Sequence, residues 1–202
     1  ERFAFFCRAV MELMGMMDWK PEVIHCNDWQ TALIPIYVKD EGRDDLRTMF
    51  TIHNVEYQGW ASADFFDDVL RLPWEYRGVL DMNNSVNVMK GAIETADLVT
   101  TVSETYAKEL MYPYYAHGLD GILSDAAWKL TGITNGIDVN TFNPETDKAL
   151  PAHYNAETFR EGKAACKAAL QAEVGLPNEP DVPLMVMVTR LAGHKGLDLL
   201  CY

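Results

Sequence analysis

The 202-residue sequence lacks the patterns that mark several classes of protein. Lysine and arginine number only 17 against 30 acidic residues, a formal net charge of −13. A nucleic-acid or anionic-membrane surface is therefore disfavoured, because such surfaces need clustered cations. No apolar run reaches the roughly 18 residues that a membrane-spanning helix needs. The four cysteines are widely spaced and form no Cys-x-x-Cys pair, so neither a zinc site nor a disulfide framework is indicated.

Two further absences concern nucleotide binding and targeting. The chain has neither the Gly-x4-Gly-Lys-Ser/Thr loop of a Walker A site nor the dinucleotide pattern Gly-x-Gly-x-x-Gly. Its first residues, Glu-Arg-Phe-Ala-Phe-Phe, lack the basic start and cleavage site of a signal peptide. We therefore expect an internal piece of a cytoplasmic protein, with a plastid as the alternative location. Oligomeric state and organism stay open.

A pair of cations near the end of the chain points to an anionic ligand. The apolar run Pro183 to Val188 predicts a buried strand that delivers Arg190, and a glycine-bracketed turn then places Lys195 before a helix-like segment. Two cations beside a helix N-terminus suit a diphosphate, because backbone N–H groups add to the side-chain charge. The alternative is an ordinary surface turn.

Helical and strand-like segments alternate along the chain, which predicts an α/β fold with a doubly wound parallel sheet. We assign residues 1–142 to a Rossmann-like domain, 143–155 to a linker and 156–202 to the start of a second Rossmann-like domain. The predicted strands are 23–26, 48–52, 98–102, 130–134 and 183–188. The predicted helices are 3–17, 31–38, 86–96, 104–111 and 156–174, with a further helical segment at 196–200, and Ser103 is the predicted N-cap of the helix at 104–111.

Polar residues follow each predicted strand, at the edge where parallel sheets bind ligands. They include Asp28, His53 and Asn135, and the aromatic rings of Trp29, Tyr57 and Trp60 follow nearby. Together they suit a polyhydroxylated ligand with flat sugar faces. Taken singly, each has a simpler interpretation: His53 as a satisfied histidine, Asp28 as a helix cap, Asn135-Gly136 as a turn, and both tryptophans as core.

Six motifs in order resemble bacterial glycogen synthases and plant starch synthases, a family of two-domain GT-B retaining glycosyltransferases. The segment at 51–59, Thr-Ile-His-Asn-Val-Glu-Tyr-Gln-Gly, is the most specific to the family, whereas the Arg190 and Lys195 pair is shared more widely. The other motifs are His-Cys-Asn-Asp-Trp at 25–29, Ala-Asp-Leu-Val-Thr-Thr-Val-Ser at 96–103, Gly-Ile-Thr-Asn-Gly-Ile-Asp at 132–138 and Asn-Pro-Glu-Thr-Asp at 143–147.

The resemblance implies transfer of glucose from ADP-glucose to the non-reducing end of an α-1,4-glucan with retention, without a metal or other cofactor. Arg190 and Lys195 would hold the diphosphate, and His53 would contact the transferred glucose. Asn135 would position donor or acceptor, and Asp28 would lie beside the sugar. The remaining residues expected to bind substrate are Trp29, Tyr57 and Gln58.

Two alternatives remain open at the level of sequence. One is another GT-B glucosyltransferase that uses UDP-glucose, and the other is an inactive glucan-binding module. The family's Lys-Thr-Gly-Gly-Leu loop and its C-terminal glutamate and second glycine-rich loop are absent from these 202 residues. We therefore expect the isolated chain to be inactive.

Overall fold

The computed structural model describes residues 1–201 of the chain, and these form two compact units. The first unit is Glu1–Asn135, and the second begins at Gly136. Tyr202, the last residue of the predicted second domain, lies outside the described residues.

The first unit contains a four-stranded parallel sheet in the order β1-β2-β6-β7. Its strands are β1 (Val23–Asn27), β2 (Arg47–Ile52), β6 (Leu98–Thr101) and β7 (Leu130–Gly132). A second, antiparallel sheet has the order β3-β5-β4, with β3 (Trp60–Ser62), β4 (Asp81–Met82) and β5 (Ser85–Asn87). The parallel sheet confirms the predicted α/β class, whereas the sequence analysis missed the small sheet.

Helices connect the parallel strands, as crossover connections require. Those of the first unit are α1 (Arg2–Met16), α2 (Ile34–Asp40), α3 (Arg77–Leu80), α4 (Val88–Thr95), α5 (Glu104–Glu109), α6 (Pro113–Ala116) and α7 (Asp120–Asp125). Short 3-10 or π turns lie at Trp29–Thr31, Phe66–Leu70, Trp74–Tyr76 and Ala127–Lys129. None of the helices in the described residues 1–201 combines the length and apolar character needed to cross a membrane.

The core of the first unit contains side chains of the parallel sheet and of the helices α1, α2, α4 and α7. Phe50, Ile52 and Val99 of the sheet are fully buried there, as are Ile36 of α2 and Met89 of α4. The buried threonines Thr51 and Thr100 lie beside these apolar residues along β2 and β6, so the interior of the sheet is not purely apolar.

Capping side chains set two of the helix starts. Ser103 Oγ accepts a hydrogen bond of 2.9 Å from the backbone N–H of Tyr106, which confirms the predicted N-cap. Asn87 Oδ1 accepts one of 2.9 Å from the N–H of Lys90, so α4 begins at Val88 rather than at Val86 as predicted. Val86 instead belongs to β5, because it pairs with Ala61 and Asp81.

The second unit contains the helix α8 (Phe159–Glu173), a 3-10 turn at Gly193–Lys195 and the short helix α9 (Leu197–Leu200). The ammonium group of Lys167 on α8 donates to the carbonyls of Pro180 and Val182. The chain after α8 therefore turns back along that helix.

The predicted strand at Pro183 to Val188 is wrong. That segment has no regular secondary structure, and Met185 and Val188 are 81% and 94% exposed. A strand needs a hydrogen-bonded neighbour, and the structure has no strand among residues 136–201. The segment is apolar as the sequence indicates, but residues 136–201 contain no strand with which it could pair.

Asp97 holds the starts of β2 and β6 together. Its Oδ2 accepts hydrogen bonds from the backbone N–H of Thr48 at 2.8 Å and from the Thr48 hydroxyl at 2.9 Å. Lys39 Nζ lies 3.3 Å from its Oδ1. Partial burial would raise the pKa of the Asp97 carboxyl, but the hydrogen bonds from Thr48 and Lys39 outweigh burial and lower it below its usual value.

We predict that Asp97→Asn lowers the free energy of unfolding at pH 7 by about 1.5–3 kcal/mol, because it removes charge-assisted hydrogen bonds. Asp97 has a lower pKa in the folded chain, so its stabilising contribution is present above about pH 4 and is lost as the pH falls further. Urea unfolding from pH 7 to pH 3 should show the two proteins converging. Asp45→Asn, at a carboxylate on the surface that pairs with Arg43, is the control and should change stability far less. A difference that stays constant with pH would contradict this assignment.

Candidate functional site

The carboxyl ends of three neighbouring strands form one polar rim. Asn27 at the end of β1 pairs with Thr51 of β2, and Thr51 pairs with Thr100 of β6. Asp28 and His53 follow directly after β1 and β2. The sheet therefore brings these two predicted site residues together, at the edge where open α/β sheets bind ligands.

His53 is exposed, and hydrogen bonds fix both its backbone and its ring. Its backbone N–H donates to Asp28 Oδ1 at 2.8 Å. Its ring Nε2 lies 2.9 Å from Asn27 Oδ1. The imidazole is therefore presented to solvent from a fixed position. The sequence predicts His53 and Asp28 as site residues but not Asn27, since asparagine after a predicted strand is also an ordinary turn residue.

Asp28 does not cap the following helical turn, so that interpretation is wrong. Its side chain makes no capping hydrogen bond to the turn at Trp29–Thr31, because the carboxylate is directed at His53. The backbone of Asp28 has φ 56° and ψ 178°, a conformation found almost only at glycine that costs another residue on the order of 1–3 kcal/mol. Its own N–H donates to Thr51 O at 3.0 Å, which holds this conformation against the end of β2.

The aromatic residues of the motifs differ in exposure. Trp29 is half-buried and packs edge to face on Phe3, with ring centroids 4.8 Å apart. Trp29 and Trp60 line an open cavity of about 420 Å³ together with Gly59 and Phe65. Tyr57 and Trp60 are 44% and 48% exposed. The first unit therefore offers both a largely apolar cavity wall and exposed rings in the segments that follow β1 and β2.

Gln58, in contrast, is buried and lies away from solvent. Its Nε2 donates to His117 O at 3.1 Å, and its Oε1 accepts from Asn87 Nδ2 at 2.7 Å. Both ends of the amide are thus occupied by protein groups. In this structure Gln58 fixes the segment after His53 to β5 and to the loop at His117.

Tyr106 of α5 is a second residue of the site that the sequence analysis missed. Its hydroxyl accepts a hydrogen bond of 3.3 Å from the backbone N–H of Val55. Burial is the main cause that raises the pKa of this phenol, so it remains a neutral hydroxyl at physiological pH. Tyr106 thereby supports the turn that begins at His53, from an element 51 residues away in sequence.

A row of polar side chains crosses the sheet beneath the rim. His25 Nε2 lies 2.7 Å from Thr51 Oγ1, which lies 2.6 Å from Thr100 Oγ1. The hydroxyl of Thr101 donates to Ile52 O at 2.8 Å. Such cross-strand hydrogen bonds fix the positions of neighbouring strands, so the row holds the strand ends in place.

Arg190, Lys195 and Asn135 lie elsewhere in the chain. Asn135 is the exposed last residue of the first unit, and Arg190 and Lys195 are exposed residues of the second. Lys195 ends the 3-10 turn at Gly193–Lys195, and Gly196, with φ 70°, follows it before α9. The predicted turn that leads from Arg190 to Lys195 is present, and the predicted helical segment follows it. Within residues 1–201 no group of three or more His, Cys, Asp or Glu side chains could hold a metal ion.

We predict that Gly59→Ala destabilises the first unit by more than Gly42→Ala does. Both glycines have a positive φ, 72° and 62°, so both substitutions carry backbone strain of about 1 kcal/mol. A Cβ at Gly59 would lie 2.4 Å from Val88 Cγ2 and 2.7 Å from Trp29 Cε3, whereas one at Gly42 meets nothing within 4 Å. Overpacking should add about 1–3 kcal/mol at Gly59, measurable by urea unfolding. An equal loss of unfolding free energy in the two variants would show that Trp29 moves aside at no cost.

Comparison with known proteins agrees with the resemblance of the motifs. A family model described as the starch synthase catalytic domain matches residues 1–125. Glycogen synthase 2 of Geobacter sulfurreducens is 49% identical over 210 residues, which cover 98% of this chain and 42% of that protein. Glycogen synthase of Clostridium perfringens is 44% identical over 207 residues, covering 99% of this chain and 43% of that protein.

A solved structure extends the likeness to the fold. The catalytic domain of starch synthase IV from Arabidopsis thaliana, bound to ADP and acarbose, matches with a TM-score of 0.85 and 39% sequence identity. The match covers 99% of this chain and 42% of that one. This chain thus spans about two fifths of the length of the relatives it matches. Because the family model matches more than half of its residues, the chain belongs to the family of the starch synthase catalytic domain.

Proposed function

We propose that the protein to which this chain belongs is a glycogen or starch synthase. It transfers glucose from ADP-glucose to the non-reducing end of an α-1,4-glucan, with retention of configuration. The observation that carries the proposal is the fixed, exposed imidazole of His53 at the carboxyl-end rim, between Asn27 and Asp28. The family supports the reaction, and the ADP bound to the starch synthase IV domain supports ADP-glucose as donor.

In this proposal residues 1–142 form the acceptor-side domain, and 143–155 link it to a nucleotide-sugar-binding domain that begins at 156. His53 contacts the transferred glucose near its anomeric carbon. Asn135, at the junction, positions donor or acceptor. Trp29 and Tyr57 supply apolar faces for sugar rings, and Gln58 contributes by holding the segment that carries Tyr57. Asp28 lies beside the sugar, and its carboxylate anchors the backbone of His53.

Arg190 and Lys195 are proposed to bind the diphosphate of the donor. As the glycosidic bond to the nucleotide breaks, negative charge develops on the departing phosphate, and two cations stabilise that charge more than they stabilise the bound substrate. The acceptor hydroxyl attacks on the same face from which the nucleotide leaves, and an oxygen of the departing phosphate takes its proton. The new bond therefore keeps the α configuration. We expect the protein to work in the cytoplasm, with a plastid as the alternative location.

The test is glucose incorporation into glycogen by the full-length protein, with ADP-glucose and UDP-glucose compared side by side. Lys195→Ala should lower kcat/KM for ADP-glucose by roughly 10²–10³-fold, because it removes a charge that acts in the transition state. Binding of glucan should stay unchanged. Lys163→Ala, at an exposed lysine of α8, is the matched control and should stay within about twofold of the unmodified protein.

Each other outcome would revise the proposal in a defined way. Incorporation from UDP-glucose alone would keep the reaction and change the donor. No incorporation from either donor by a folded protein would favour the inactive glucan-binding module. Equal loss of nucleotide-sugar and glucan binding in Lys195→Ala would show that Lys195 is not part of a diphosphate site.

A further inference from the structure

Asn27 is held rigidly at the end of β1. Its backbone N–H donates to Thr31 Oγ1 at 2.6 Å, and the same hydroxyl lies 2.9 Å from Asn27 O. Its main chain also pairs with Thr51 in the parallel sheet. The amide side chain therefore projects from a fixed backbone, and its Oδ1 lies 2.9 Å from His53 Nε2.

This contact defines the protonation pattern of the imidazole. An amide oxygen only accepts hydrogen bonds, so the ring nitrogen that faces it must carry the proton. In a neutral imidazole the other nitrogen then bears a lone pair and accepts. Nδ1 of His53 has no hydrogen-bond partner within the part of the chain that the structure describes, so it is available to a ligand.

We propose that Asn27 is a positioning residue that selects the Nε2–H tautomer of His53 and directs Nδ1, as an acceptor, toward a hydroxyl of the transferred sugar. This inference rests on the proposed function of the same site. Asp28 fixes the backbone of His53 and Asn27 fixes its ring, so two adjacent residues of β1 and its following turn determine where the lone pair lies. Displacement of a reacting group by about 1 Å costs on the order of 10²-fold in rate, which is why a second anchor on the ring matters.

Asn27→Leu and Asn27→Asp form the test pair in the full-length protein. Leucine has a similar size but no acceptor, whereas aspartate keeps an oxygen in the same place. Asn27→Leu should lower kcat for glucose transfer by roughly 10- to 100-fold with a smaller change in KM. Asn27→Asp should recover most of this loss. In a His53→Ala background Asn27→Leu should have no further effect, since Asn27 acts through His53.

Three kinetic results would overturn the inference. The first is an Asn27→Leu variant with the kcat of the unmodified protein. The second is an Asn27→Asp variant that loses as much kcat as Asn27→Leu. The third is an Asn27→Leu substitution that lowers kcat in the His53→Ala background as much as it does in the unmodified protein. Melting temperatures of all variants separate a loss of folding from a loss of activity. Absence of transfer by the unmodified protein would instead count against the proposed function, and the tautomer is then tested directly.

The direct test is a two-bond ¹H–¹⁵N correlation spectrum of the protein labelled at its histidine nitrogens. The signal of His53 is identified by its absence in His53→Gln. We expect the Nε2–H pattern in the unmodified protein and a mixture of tautomers in Asn27→Leu. An Nδ1–H pattern for His53, or an identical spectrum in Asn27→Leu, would disprove the role of Asn27 whether or not the protein transfers glucose.

Discussion

The register of β1, β2 and β6 is the constraint on which the rest of the first unit depends. Side chains alternate between the faces of a strand, so a shift by one residue would turn each of them to the opposite face. Asp97 and Thr48 fix that register at the starts of β2 and β6, and Thr51 and Thr100 repeat it near the ends. Because Asn27 pairs with Thr51, the end of β1 lies beside the end of β2, and the Asn27 amide can reach the ring of His53.

Much of this arrangement could be predicted from the sequence because it is local. The apolar runs of β1, β2 and β6 and the motif containing His53 have patterns that a reader can recognise in a single window of residues. Asn27 and Tyr106 could not be found in that way, because their importance lies in partners 26 and 51 positions away. Gln58 is a different case: its motif predicts ligand contact, and its side chain is buried with hydrogen bonds to Asn87 and His117, which a sequence window does not reveal.

The apolar segment at Pro183 to Val188 shows where local patterns fail. Its composition is that of a buried parallel strand, yet pairing depends on neighbours that a sequence window cannot supply. The cations at Arg190 and Lys195 follow this segment, so their geometry depends on the same neighbours. The negative net charge of the chain, −13, does not oppose an anion there, because screening in physiological salt limits charge effects to about 8 Å.

The backbone of Asp28, with its positive φ, sets steric strain against the hydrogen bond that the Asp28 carboxylate accepts. Glycine adopts this backbone conformation without the steric cost that aspartate bears, so replacing Asp28 by glycine would relieve strain of about 1–3 kcal/mol. That replacement would also remove the acceptor for the His53 N–H and free the turn that carries the imidazole. The lost hydrogen bond to a charged group costs about 1.5–3 kcal/mol, which offsets the relieved strain, so the exchange would leave the rim less ordered without making the protein more stable.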